Sequence, residues 1–481
     1  ESFNLGVRTL YSMFGRFDYS YKGKYLVNGT LRRDGYSGFG AANRFGTFPS
    51  VGAAWRVSEE AFMKDVSWIN DLKLRASWGE LGSISAVDPF NQYTTFVSDP
   101  TRSWYDIGGA NNSASQGYIA NRQGNDSTKW ETTVSKNLGI DLTLLQGKWT
   151  FSADVFRNDT RDLLVPRQRI ALEPIVTQPS INIGTMRNDG FEFALGNRGN
   201  ITSDLSYNVN FAFTKYKNEI IKVNEEGSEF NGGVDRLNNV LVTKKGLPIS
   251  SFIGYNIVGF YNNASDTAKG PKINGATPVI GSYRFQDVDG DNNITSADRV
   301  ILGSPHPDFQ LSTNIELNYK NFDFTAFLFW NQGNEIFNNT KYFTDFRVFV
   351  GGVSTRVLED SWTPETAGSA KLPRLGNGAE NGYTGFVTGN SNSYYVEDGS
   401  FFRAKTVQLG YTLPRSIAQR IKLSSLRVYA QAQNLFTITN YTGADPDVSL
   451  FSNSGNDRGI GVDRGGFPNP KMFLLGLNVN F

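Results

Sequence analysis

At 481 residues, with 47 basic against 46 acidic side chains and a formal net charge of +1, the chain carries no bulk charge that would draw it to nucleic acid. It has no cysteine, which excludes disulfide scaffolds, thiolate zinc sites and cysteine nucleophiles. Aromatics make up 14% of the residues and 50 are glycine, a mixture that favours strands joined by tight turns over helical bundles.

Residues 1–6 have neither the basic start nor the apolar stretch of a signal peptide, and by residue 9 the chain already reads as a strand. The expectation is a mature product or a piece of a longer chain. No apolar run approaches the roughly 18–20 residues of a spanning helix. What recurs instead is alternation with period two. Leu138, Ile140, Leu142 and Leu144 alternate with Asn137, Gly139, Asp141 and Thr143, and Trp149, Phe151, Ala153 and Val155 with Thr150, Ser152 and Asp154. Leu205, Tyr207, Val209 and Phe211 follow the same rule, as do Leu311, Thr313, Ile315, Leu317 and Tyr319, and finally Phe473, Leu475, Leu477, Val479 and Phe481. About fifteen such stretches are predicted.

The connections are more telling. Lys22-Gly23, Gln146-Gly147 and Lys320-Asn321 are tight, while 58–70 and 414–423 are short with a helical turn, Pro414 suiting a first helical position. Long polar connections cover roughly 80–130, 158–186, 215–253, 331–400 and 438–470. Short and long connections alternate. That asymmetry belongs to a transmembrane antiparallel β-barrel with short periplasmic turns and long extracellular loops, and a soluble sandwich has no reason for it. The predicted class is therefore all-β, with residues 1–481 as wall and 215–308 as an outer-loop region holding zero or two further strands. Counting strands puts Lys22-Gly23, 58–70, 146–147, 198–203, 320–321, 413–424 and Phe481 on one side. Tyr19, Tyr21, Tyr25, Trp149 and Trp330 are expected to form interface girdles.

Few motifs carry chemistry. Asp287, Asp289, Asp291, Asn293, Thr295 and Asp298 stand at positions 1, 3, 5, 7, 9 and 12 of a calcium loop, the seventh through its backbone carbonyl, and Ile294 is the apolar anchor at position 8. Asn292 replaces the usual glycine and tolerates a left-handed turn. Asp298 replaces a bidentate Glu and should weaken binding. Ca2+ is thus the one cofactor expected, stiffening an outer loop; the competing reading is a plain Asp/Asn turn. Phe481 ends an alternating strand, the pattern that barrel-insertion machinery reads by strand addition. His306, the only histidine, lies between Pro305 and Pro307, and a structural role is expected. No HExxH, GxSxG or GxxxxGK[ST] is present. The pairs Glu59-Glu60 and Glu225-Glu226 read as solvated loops, so no catalytic residue and no enzyme activity is expected. Trp104-Tyr105, Tyr342-Phe343 and Tyr394-Tyr395 could stack on sugars or a protein partner, or pack within their loops.

Leu31-Arg32-Arg33-Asp34-Gly35, Arg44-Phe45-Gly46-Thr47-Phe48-Pro49-Ser50-Val51, Ala54-Trp55-Arg56, Leu72-Lys73-Leu74-Arg75-Ala76-Ser77-Trp78-Gly79, Ile301-Leu302-Gly303-Ser304-Pro305-His306-Pro307-Asp308-Phe309 and Gln433-Asn434-Leu435-Phe436-Thr437 together resemble SusC/RagA-type TonB-dependent transporters. The resemblance runs from about residue 17 to 481. It implies a plugged barrel of about 22 strands in a Gram-negative, Bacteroidetes-like outer membrane, importing glycans or peptides. It also implies partners: a SusD-like surface lipoprotein, the TonB–ExbB–ExbD complex acting through an N-terminal part, and the lipid bilayer with its lipopolysaccharide. Similar acidic loops recur in that family at the place of 287–298. No signal peptide, TonB-box or plug is recognised here, so the chain is expected to be the C-terminal barrel portion, with roughly seven strands elsewhere. Two rival functions are a structural scaffold in a larger outer-membrane complex and a soluble carbohydrate-binding or hydrolytic β-protein.

Overall fold

Successive side chains of a strand point to opposite faces, so an alternating sequence builds a sheet with one apolar and one polar side. The computed structural model describes residues 8–85, 87–106, 114–167, 176–223, 230–234, 236–273, 275–346, 352–375, 389–448 and 459–481. Glu225 and Glu226 lie outside the described residues. Thirteen wall strands run in sequence order, each paired with the next. They are β1 Leu10–Tyr21, β2 Tyr25–Tyr36, β3 Phe45–Arg56, β4 Ile69–Ser83, β5 Glu131–Leu144, β6 Trp149–Arg161 and β7 Gly184–Asn200. The remainder are β8 Leu205–Val223, β9 Phe309–Tyr319, β10 Phe322–Gln332, β11 Phe401–Thr412, β12 Ser425–Gln433 and β13 Met472–Asn480. A fourteenth segment, Thr437–Thr439, extends the β12 position along β11 beyond a kink at Asn434, where φ is +50°. Every ladder of the wall is antiparallel.

Thirteen wall positions stand among the described residues, beside the expectation of about fifteen alternating stretches. Alternation identifies a half-buried strand but not the sheet it joins. Phe230–Val234, Leu237–Thr243, Ser251–Tyr255 and Arg299–Gly303 form a four-stranded sheet of their own within the long connection. That connection adds no wall strand among the described residues, because β8 pairs directly with β9. β8 also runs through Val223, past the 215 at which the sequence suggested loop.

The connections fall on two ends as their lengths foretold. One end holds 22–24, 57–68, 145–148, 201–204, 320–321 and 413–424, and Phe481 follows β13 at that end. Lys22 and Gly23 both take left-handed φ, +54° and +67°, and Lys24 N–H donates to the Tyr21 carbonyl, giving the two-residue turn whose twist suits a hairpin. The other end carries the long connections, which share a core. Leu237, Leu241 and Phe252 from one connection pack with Phe337, Tyr342 and Tyr395 from a second and Val462 from a third.

The two faces differ as the alternation demands. Outward, Phe193 stacks on Phe213, Phe213 on Phe309, and Phe309 meets Trp330 edge-on, with ring centroids 5.3, 5.6 and 5.2 Å apart. Leu138, Val155, Leu409, Leu475 and Leu477 are exposed on the same side, as are the girdle residues Tyr19, Tyr21, Tyr25, Trp149 and Trp330. On β6 the outward apolar run starts at Trp149 and gives way to Arg157, 8 residues later (157 − 149). At about 3.3 Å per residue and a tilt of about 40° that is roughly 20 Å of membrane depth, close to the ~25 Å apolar band of outer-membrane barrels.

Inward, charges pair across glycine. Arg75 on β4 bonds Asp141 on β5 at 2.8–2.9 Å and Asp154 on β6 at 2.9 Å. Lys73 adds a second cation to Asp141 at 2.7 Å. Gly139 sits between Arg75 and Asp154 in register, and a Cβ there would run into both side chains. The same device recurs at Gly410, beneath the Arg427–Asp323 pair. Arg75→Ala in the refolded barrel is expected to lower stability to urea by about 1–2 kcal/mol, between the values for exposed and buried pairs because these side chains are partly wet. Adding Asp141→Asn and Asp154→Asn should recover most of the loss. Equal urea midpoints for wild type and Arg75→Ala would remove this pairing from the list of what holds the wall.

Candidate functional site

The upper ends of β6, β7 and β8 project past the apolar band, and their inward positions line a cavity under the long connections. Register sets Asn158, Asn188 and Asn218 side by side on three neighbouring strands. Asn218 Nδ2 donates to Asn188 Oδ1 at 2.7 Å, and Asn218 Oδ1 accepts from Ile249 N–H at 2.8 Å, which ties a loop to the wall. Asn158 Oδ1 is buried and has no hydrogen-bond partner. The cavity has a volume of about 430 Å3, and its lining mixes apolar residues such as Phe156, Leu163, Val165, Ile183, Met186 and Ile249 with polar ones such as Glu131, Thr160 and Thr243. That volume lies within the range of ligand chambers, about 300–1,000 Å3.

His306 closes one side. Its Nε2 lies 3.1 Å from the Ile249 carbonyl and its Nδ1 3.3 Å from the Tyr216 hydroxyl. The carbonyl can only accept, so Nε2 carries the proton and Nδ1 accepts from Tyr216. Burial pushes the imidazole below its ordinary 6.5, with the Ile249 hydrogen bond opposing. These contacts fix a loop to a strand, in line with a structural role for this histidine.

The acidic loop stands apart, above the wall. Asp287, Asp289 and Asp291 bring one oxygen each to within 4.8 Å of one another. Backbone amides orient them: Gly290 and Asn292 donate to Asp287, Asp291 to Asp289, and Asn293 to Asp291. Asn292 takes the left-handed turn with φ +61°. Asn293 Oδ1 is buried without a hydrogen-bond partner. Thr295 and Asp298 are used differently. They form a capping box, and Asp298 accepts from Val288 N–H and Thr295 N–H at 2.8 and 2.7 Å. Asp298 thus closes the loop, and the three aspartates are what the structure gathers.

Of the loop aromatics, Trp104 and Tyr105 are exposed, whereas Tyr342 and Tyr395 are buried in the core of the long connections. Tyr394 covers Lys341, whose Nζ is 4.1 Å from the ring centroid, and donates to Asp345 at 2.7 Å. Sequence reading missed the charged network here. Lys341 pairs with Glu397 at 2.9 Å, both nearly buried, and fully buried Asp345 holds Arg356. Burial pushes Lys341 down from the ordinary ammonium range. Burial also works against the Glu397 charge, but Lys341, Asn338 and Thr442 hold that carboxyl below the ordinary range. The asparagine row was missed as well: alternation marks each residue as inward, but only register shows that the three are neighbours.

Comparison with known proteins places this arrangement. The family model described as "TonB dependent receptor-like, beta-barrel" matches residues 2–243. TonB-dependent receptor P3 of Formosa agariphila is 34% identical over 98% of this chain and 45% of its own length. TonB-dependent receptor SusC of Bacteroides thetaiotaomicron is 31% identical over 98% of this chain and 44% of its own. The solved structure of the RagAB peptide transporter superposes with a TM-score of 0.78 at 22% identity, covering 98% of this chain and 47% of that one, a likeness of fold. The chain spans about half the length of the curated relatives it matches.

The histidine gives a direct check. Its folded pKa lies below the unfolded value of 6.5, so the native state holds fewer protons. The stability this contributes is complete above 6.5 and is lost as pH falls from 6.5 toward the lower folded value. Histidine NMR, assigned by loss of the signal in His306→Gln, should therefore give a midpoint below 6.5. Urea resistance of wild type should fall more than that of His306→Gln on acidification. A midpoint at or above the ordinary value would contradict the buried neutral ring.

Proposed function

The chain belongs to the TonB-dependent receptor-like β-barrel family, and from that membership we propose that it is the barrel portion of a SusC-like, TonB-dependent importer of glycans or peptides in the outer membrane. The observation that carries the reading is the wall itself. It is apolar outside over a membrane's depth, polar and ion-paired inside, with short turns at one end and packed loops at the other. The family is a receptor and transporter class, not an enzyme class. In this reading the long connections form the vestibule that meets a SusD-like surface lipoprotein. The force comes from TonB–ExbB–ExbD acting on a plug, and the cell is Gram-negative and Bacteroidetes-like.

Lipid supports one further part of the proposal. Among the described residues, β1 and β13 each have one neighbour in the sheet. An unpaired backbone group in hydrocarbon costs several kcal/mol, so the wall closes through added strands between β13 and β1. Taking about 22 strands for the whole and 13 wall positions among the described residues, roughly seven to nine strands would complete it.

The acidic loop completes the proposal as a Ca2+ site. Three convergent carboxylates attract a cation, and the calcium-loop spacing offers the Asn293 backbone carbonyl as a fourth oxygen ligand. Asp287, Asp289, Asp291 and Asn293 would hold the ion, and the ion would stiffen the loop.

Two measurements test these readings. Detergent extraction of outer membranes followed by native mass spectrometry should yield a longer parent polypeptide with a surface lipoprotein, and deleting the gene should abolish uptake of the co-purified oligomer. Uptake that persists in the deletion strain would overturn the importer reading. Calcium at about a hundredfold over Kd should stabilise the protein by about 2.7 kcal/mol, and Asp289→Asn with Asp291→Asn should remove that gain. A melting point unchanged by calcium and by chelator would leave a plain turn.

A further inference from the structure

The outward side of the wall carries a feature that a uniform apolar band does not need. We propose, resting on the outer-membrane reading above, that it is a seat for one phosphorylated glycolipid of the outer leaflet, its phosphate on Lys136 and Arg157 and one acyl chain in a hollow over Ala53 and Ala76. Register sets the parts in place. Ala53 of β3 faces Ala76 of β4, which faces Leu138 of β5. The next outward row toward the long connections holds Val51, Trp78, Lys136 and Arg157, in that order across β3 to β6. Two alanines side by side among bulkier groups leave an open groove of about 690 Å3, walled by Val51, Trp78, Leu138 and Val155, with Lys136 and Arg157 at its upper rim. Neighbouring strands lie about 4.8 Å apart, so a hollow two residues wide admits a single hydrocarbon chain.

Depth and charge select the occupant. The row with Arg157 ends the outward apolar run, so its cations stand where hydrocarbon gives way to head groups, a level that also suits the indole of Trp78. Lys136 is exposed and, among the described residues, forms no ion pair. Arg157 gives Nε–H and one Nη2 proton to Asp189, which also borders the groove, at 2.6 and 2.9 Å. Both protons on its Nη1 are left to receive a second anion. Glu80 stands on the same face one row above Trp78 and is not paired with Lys136. A sugar head group suits this place better than a small phospholipid one, because the wall continues above the row. Asp159, Arg187 and Glu219 stand one row higher on β6 to β8. They hold the pairs Arg187–Asp159 at 2.6 Å and Lys217–Glu219 at 2.7 Å, which offer donors and acceptors together, as sugar hydroxyls require.

The test uses the whole transporter, purified from outer membranes and stripped of lipid in detergent, with native mass spectrometry counting the lipid bound on titration of three probes. These are diphosphoryl lipid A, the same lipid with its phosphates removed, and phosphatidylglycerol. Diphosphoryl lipid A should bind about fivefold more tightly than either of the others. Lys136→Ala should weaken it about fivefold, and Ala76→Phe, which fills the hollow, by about as much. Glu80→Gln, which removes a neighbouring negative charge, should tighten it about twofold. Lys64→Ala, which removes a cation at the opposite end of the wall, should leave it within about twofold of wild type. Folding of each variant is checked by the heat-dependent gel mobility of the barrel. Binding unchanged in both Lys136→Ala and Ala76→Phe overturns the seat. Equal affinity for the dephosphorylated lipid overturns the phosphate contact, and equal or tighter binding of phosphatidylglycerol overturns the glycolipid. A second copy of the barrel held there in place of lipid, and lost in Ala76→Phe, overturns a lipid occupant altogether. Each of these outcomes leaves the importer reading standing where the deletion strain loses uptake. If no probe binds and the deletion strain retains every uptake activity of its parent, both readings fall.

Discussion

Hydrocarbon cannot hydrogen-bond, and the rest of this architecture follows from that. A strand in lipid must give every N–H and C=O to a neighbour, so the wall is an unbroken antiparallel meander in which each strand pairs with the next in sequence. Nearest-neighbour pairing reverses direction at every step, which separates the connections into two sets by end. Pleating then divides the side chains of each strand between lipid and lumen. The outward aromatic contacts from Phe193 to Trp330 and the inward Arg75–Asp141–Asp154 cluster are two sides of one geometric fact.

The lumen face solves a different problem. Charges there are only half-wet, so an isolated one is costly and a shared one is not. Glycine supplies the room. At Gly139 and Gly410 the missing side chain lets a guanidinium and a carboxylate from flanking strands meet over the backbone. A larger residue would push them apart. The glycines of these strands weaken local strand preference, but they admit ion pairs that bind three strands together on the inside.

Wall strands, turns and the two-ended arrangement were legible in the sequence because each depends on local signals: a period of two, a Lys-Gly turn, the length of a connection. The acidic loop was legible for the same reason, its three convergent aspartates lying within one short segment. What was not legible depends on register between distant segments. Asn158, Asn188 and Asn218 are unremarkable inward residues until the ladders set them in one row. Lys341 and Glu397 lie 56 residues apart (397 − 341), and nothing local predicts that their side chains meet in a buried core. Asp298 was read from spacing as a ligand; in the structure its carboxylate accepts from Val288 N–H and Thr295 N–H and closes the loop, a role that spacing does not reveal. Which sheet a segment joins was not legible either: Phe230–Val234, Leu237–Thr243 and Ser251–Tyr255 join a sheet separate from the wall.

The division of labour between wall and loops explains where selectivity can reside. The membrane constrains the wall's outside by hydrophobicity and its backbone by pairing, which leaves only the inward side chains free to vary with cargo. Above the apolar band the strands run on, and β8 reaches Val223. There the lipid no longer claims one face, and the outward positions turn to ion pairs such as Arg157–Asp189 and Arg187–Asp159. The loops dock onto the inward face of these extensions through main-chain bonds, Ile249 to Asn218 and Leu164 to Glu131. A chamber formed between a rigid sheet and loops anchored to it is pre-organised, and pre-organisation reduces the ordering cost of capture. The shape of that chamber is therefore set by strand register and loop anchoring together.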